Sequence, residues 1–127
     1  MKRRLLALSC YLALPTCYAL SNTEYCATSQ AWAAQITVAK LRNEHFDPQP
    51  LPKVELLSQQ RLSGTHGLRA SKDFGELYSQ TLLITVSSQR PKQAAKHFIV
   101  SSIISDQECS MSEPIIIDRS LLGKDRP

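Results

Sequence analysis

The residues able to make a site are three histidines, two pairs of neighbouring carboxylates, four cysteines and one Gly-rich basic stretch. His45, His66 and His97 lie too far apart for the H-x-x-x-H or H-E-x-x-H spacing that puts two imidazoles on one helix face. No metal site and no cofactor are expected from them. No serine sits in G-x-S-x-G or S-x-x-K, so none has a base built in at the spacing those nucleophiles use. Asp106 with Glu108, and Asp118 with Asp125, read as solvated charges near loops rather than as an acid–base pair. No Walker pattern is present. The chain is therefore expected not to be an enzyme.

Ser63 to Gly75 is the stretch that stands apart. It joins two strand-like segments with about a dozen residues, where a hairpin needs about two to five, and connections of that length tend to carry function. It holds three of the four glycines and offers His66, Arg69 and Lys72 beside the apolar Leu68 and Phe74. Backbone amides of Gly64-Thr65-His66-Gly67 could face an anion, with the cations assisting. The plainer alternative is a surface loop with one helical turn, its Leu68 and Phe74 tucked into the core.

The formal charge of +4 suggests nucleic acid until its distribution is considered. Lys2, Arg3 and Arg4 precede the apolar run Leu5 to Leu14, then Pro15 and Cys17-Tyr18-Ala19. A basic start, an apolar stretch of about ten residues and small residues before the cut describe a secretory signal peptide over 1–19. The run is too short to span a membrane, which takes about 20 apolar residues. Cleavage after Ala19 leaves 20–127 with twelve basic and eleven acidic residues, nearly neutral. Nucleic acid is not an expected partner. Nor is stable membrane insertion after signal removal, a lipid anchor at Cys17 being the lesser alternative.

Cys10 and Cys17 leave with the signal, and Cys26 and Cys109 remain. Two cysteines in an exported chain are expected to form one disulfide, because the compartments outside the cytoplasm are oxidising.

The elements that must position these groups follow from periodicity. Ser21-Asn22-Thr23-Glu24 is a capping-box pattern, and Ala27, Ala31, Ala34, Val38 and Leu41 then recur at helical spacing, widened by Tyr25, Trp32, Ile36 and Ala39. One long helix over about 22–45 is predicted, ended by Pro48 and Pro50. Alternation predicts a strand over Lys53–Leu62, with Val54, Leu56 and Leu62 inward, and an antiparallel partner over Glu76–Ser88. In the partner Tyr78, Leu82, Ile84 and Val86 share a face that Gln80 interrupts. Arg90-Pro91 reads as a helix start, and a second helix is favoured through 97–104 despite its β-branched residues. Ile115 to Ile117 predicts a short last strand, and about 120–127 a loose tail.

Together these give a single α+β domain over 20–127, with a small, mostly antiparallel sheet covered by a long N-terminal helix and a second helix. The expected role is that of a periplasmic or secreted, non-enzymatic accessory protein of inhibitor, immunity, pilot or assembly-chaperone type. It would bind another envelope or secreted protein through the 63–75 loop and the adjoining sheet edge. The competing expectation is a small anionic ligand or glycan held by His66, Arg69 and Lys72.

Overall fold

The computed structural model describes residues 19–64 and 67–123. The expected signal segment up to residue 18, His66 and the end of the tail at 124–127 lie outside the described residues.

The domain is α+β: helices α1 (Asn22–Cys26) and α2 (Trp32–Arg42) precede a sheet of four antiparallel strands, with α3 (Arg69–Phe74) between the first two. The strands are β1 (Lys53–Arg61), β2 (Leu77–Val86), β3 (Lys96–Ser105) and β4 (Ile115–Asp118), paired in sequence order. A 3-10 turn, Arg119–Gly123, follows β4.

The long helix expected over 22–45 is broken in two. Ser21 caps α1 as its pattern requires, its hydroxyl accepting from the Glu24 amide at 3.3 Å. The helix then stops after Cys26. Polar side chains take over the backbone there: the Thr28 hydroxyl donates to the Tyr25 carbonyl at 2.7 Å, and the Gln35 amide reaches the Ser29 carbonyl at 2.8 Å. Such local bonds offer the chain an alternative to the helical ladder. The break frees α1 to turn Cys26 toward Cys109. Beyond it, Ala31, Ala34, Val38 and Leu41 are buried as the stripe predicts, whereas Tyr25 and Ala39 are exposed and do not widen it.

The second helix favoured for 90–104 is not formed. Residues 96–105 are strand β3, paired along its whole length with β2 from Lys96↔Val86 to Ser105↔Leu77. Phe98, Val100, Ser102 and Ile104 are buried while His97, Ile99, Ser101 and Ile103 are not. A period of two with β-branched residues on both faces suits the pleat better than a helix surface. Arg90–Ala95 is only a turn, closed by the Gln93 amide on the Arg90 carbonyl at 3.2 Å.

One face of the sheet meets α2. Ala33, Ala34, Val38 and Leu41 pack on Leu82, Ile84, Val86, Phe98 and Val100, with Phe46 closing the end. Fully burying side chains of this size contributes about 1.5–3 kcal/mol each. The turn out of α2 sets Phe46 in place: His45 adopts φ +61°, and the Phe46 amide donates back to the Leu41 carbonyl at 3.2 Å. Strand β1 gains less from this core. Val54 is half-buried, but Leu56 and Leu57 remain exposed where a bulge shifts the register between Leu56 and Ser58.

The disulfide expected from the cysteine count is present, joining Cys26 to Cys109 across 83 positions of sequence. Cys26, Ile104 and Cys109 form a second, smaller buried cluster against Trp32 and Tyr78.

Candidate functional site

The connection between β1 and β2 starts and finishes on fixed points. The Leu62 amide donates to the Leu77 carbonyl at 2.9 Å, and Arg61 forks onto Glu76 through Nε at 3.0 Å and Nη2 at 2.8 Å. Bidentate guanidinium–carboxylate pairs fix orientation as well as distance. Asp106, from the β3–β4 connection, accepts the Glu76 amide at 2.9 Å, and its own amide donates to the Glu76 carbonyl at 3.1 Å.

Between these anchors the chain forms α3, bonded within itself. The Lys72 amide and the Ser71 hydroxyl both donate to the Leu68 carbonyl, at 3.2 and 2.9 Å. Gly75 ends the turn at φ +84°, and a Cβ there would lie 2.9 Å from the Asp106 Cβ. Only glycine meets both conditions, so Gly75 lets α3 sit close against the 106–112 connection.

The sequence-selected residues are placed as follows. Leu68 is 52% exposed and Phe74 39% exposed, so neither is tucked into the core. The helical turn of the plainer alternative is present, but its apolar residues face outward. Lys72 is exposed, and Arg69 pairs with Asp73 across one helical turn at 3.5 Å. His66 lies outside the described residues. The exposed Leu56 and Leu57 lie on β1, an edge strand among the described residues, and add a second apolar element on the strand that leads into the connection. Leu57 escaped the sequence analysis because a bulge has no periodic signature.

Electrostatically this end of the sheet is acidic. Glu24, Asp73, Glu76, Asp106, Glu108 and Glu113 gather toward it, against Arg61, Arg69 and Lys72. Burial pushes the Tyr78 phenol above its usual value, and the hydrogen-bonded Asp106 carboxylate adds to the shift. The Glu108 carboxyl is held below its usual value by the Ser110 hydroxyl, with the Ser110 and Cys109 amides assisting against a smaller opposing effect of burial. These carboxylates serve the local backbone.

Among the described residues no group of three or more His, Cys, Asp or Glu is gathered to hold a metal ion, and no helix is long and apolar enough to cross a membrane. Comparison with protein-family models, with curated proteins and with solved structures found no match.

Proposed function

We propose that the mature chain is an exported, non-enzymatic accessory protein that binds another envelope or secreted protein through α3 and the neighbouring edge of β1. The observation that carries this is the outward placement of Leu68 and Phe74 on a turn whose two ends are pinned. Leu68 at 52% and Phe74 at 39% exposure leave roughly half of the 1.5–3 kcal/mol that full burial of each contributes for a partner to recover. The pinned ends keep the ordering cost of docking low. Among the described residues β1 is an edge strand of the sheet and carries the exposed Leu56 and Leu57, a combination that suits pairing with an extended segment.

Export rests on the basic-then-apolar start of the chain, and the Cys26–Cys109 bridge fits an oxidising compartment. Inhibitor, immunity, pilot and assembly-chaperone roles all use such a surface. The anionic-ligand alternative at His66, Arg69 and Lys72 draws less support, because Asp73 answers the Arg69 charge and carboxylates surround that end.

The test is recovery of partners from the native envelope fraction by the mature protein and by the variant Leu68→Ser, Arg69→Ser, Phe74→Ser. The expected result is one partner retained by the parent and lost by the variant, with unchanged melting curves. Equal recovery by both proteins refutes the assignment of the surface.

A further inference from the structure

The near-neutral total conceals a separation of charge. Register places the start of β1, the end of β2, the start of β3 and the end of β4 together, because Lys53 faces Thr85, Thr85 faces His97, and Asp118 faces Phe98. The C-terminal end of α2 joins them through the backbone bridge between Pro48 and Ser88. Among the described residues Lys40, Arg42 and Lys53 lie at this end, as do Arg90, Lys92, Lys96 and Arg119: seven cations, against Glu44, Asp47, Glu55 and Asp118. The opposite end, where α3 sits, has three described cations and six described carboxylates. Among the described residues Arg42, Arg90, Lys92 and Arg119 have no ion-pair partner.

A groove of about 540 Å³ opens at the basic end. Its apolar part is Phe46, Ala94 and Ala95, and Lys96 and Arg119 stand at its sides. The Lys96 ammonium lies over the Phe46 ring, 5.5 Å from its centre, which holds that charge beside the apolar floor. Asp118 is the one carboxylate among the described residues that line the groove, and its Oδ1 is engaged. It accepts the Ser120 amide at 2.9 Å and the Ser120 hydroxyl at 2.7 Å, and Lys96 and Lys40 act on it. A second recess of about 320 Å³ shares Phe46 and continues to Arg42, His45 and Arg90, with Asp47 as its one described carboxylate.

We infer that this end is a second docking surface, which receives an acidic segment of a partner protein carrying an apolar side chain. Charge complementarity selects the occupant. Arg119 lines the first recess and Arg42 and Arg90 the second, so several acidic residues in one segment match them. The apolar side chain fills the space between Phe46 and Ala95. The surface lies at the opposite end of the sheet from Leu68 and Phe74 and does not depend on them.

The test titrates the mature, disulfide-bonded protein with a synthetic peptide alternating Asp and Glu around a single Phe. Its controls are the same peptide with Asn and Gln in place of the acids, and vesicles containing anionic lipid. Saturable binding is expected to the acidic peptide alone, weakening about tenfold as salt rises to ~0.2 M, because exposed charges are screened over about 8–10 Å. Arg90→Glu with Arg119→Glu should weaken it by at least about tenfold, since exposed charge reversal acts directly on complementarity. Backbone amide shifts should cluster at Phe46, Ala94 and Ala95, while Leu68→Ser with Phe74→Ser leaves affinity unchanged. Equal binding of the neutral peptide, no saturable binding, shifts centred on α3, or preference for the vesicles would each overturn the proposal.

Discussion

The two ends of the sheet are held by different interactions. At the α3 end a small apolar cluster around Ile104 is supplemented by covalent and polar ties: the Cys26–Cys109 bridge, Asn22 on the Ser105 carbonyl at 2.9 Å, and Asp106 on the Glu76 amide. At the other end, Leu41, Phe46, Val86 and Phe98 form a closed apolar cluster, and the β2–β3 connection is tied to the approach to β1. There the Gln49 amide donates to the Ser87 carbonyl and the Gln89 amide to the Asp47 carbonyl, each at 2.8 Å. The difference shows how a small core is shared out. Apolar packing is concentrated under α2, and the end that the core does not reach is closed by a covalent bond. Leu68 and Phe74 can face outward because that end does not depend on burying them.

Removing the bridge is the severest way to break this division. Cys26→Ser with Cys109→Ser is expected to cost about 4–5 kcal/mol by the chain-entropy argument for a loop of this length, read as a fall in the urea midpoint. Amide exchange should accelerate in α1 and around 106–112 before it does in α2. A loss below about 1 kcal/mol, or uniform acceleration, would show that the bridge does not serve one end.

Phe98→Ala tests the packed end. Phe98 is 1% exposed within the α2 cluster, and truncation should cost roughly 3–4 kcal/mol as a cavity opens. Exchange should rise first near Phe46 and Val86, with the disulfide and the α3 anchors retained.

The smallest effect is acid destabilisation, and it draws on both ends. Hydrogen bonds from Ser110 lower the Glu108 carboxyl, and those from Ser120 lower the Asp118 carboxyl. A carboxyl whose folded pKa lies below its unfolded value contributes stability above the unfolded value, and that contribution is lost as pH falls through the folded one. The urea midpoint should therefore decline below about pH 4, the ordinary carboxylate range, and Glu108→Gln should make the decline shallower. A midpoint independent of pH in that range would remove both carboxylates from the account.

Much of the sheet was legible because alternation survives whatever covers it. Leu82, Ile84 and Val86 are buried as their spacing implies, and β4 falls on Ile115–Asp118. Gln80, which breaks that apolar face on paper, is buried and used: its amide donates to the Thr23 carbonyl at 3.0 Å and to Gln59 at 2.9 Å, joining α1 to the sheet. Two elements depart from their sequence patterns for physical reasons. The helix was cut by side-chain bonds at 28–35, which no stripe of small residues reveals. Residues 97–104 followed their β-branched character once β2 supplied a partner. At the candidate site, the exposure of Leu68 and Phe74 depends on Gly75 seating α3 against Asp106, a tertiary contact that composition does not encode. The basic end was invisible because the charge total sums over both ends.

Strand order has a kinetic consequence. Each strand pairs with the next one along the chain, so the ladder can grow by short closures, whose entropic cost rises only slowly with length and which are quick to form. Cys26 and Cys109 are far apart in sequence and meet only when α1 lands on β3. Oxidation is then expected to come late, as a lock on a shape already assembled.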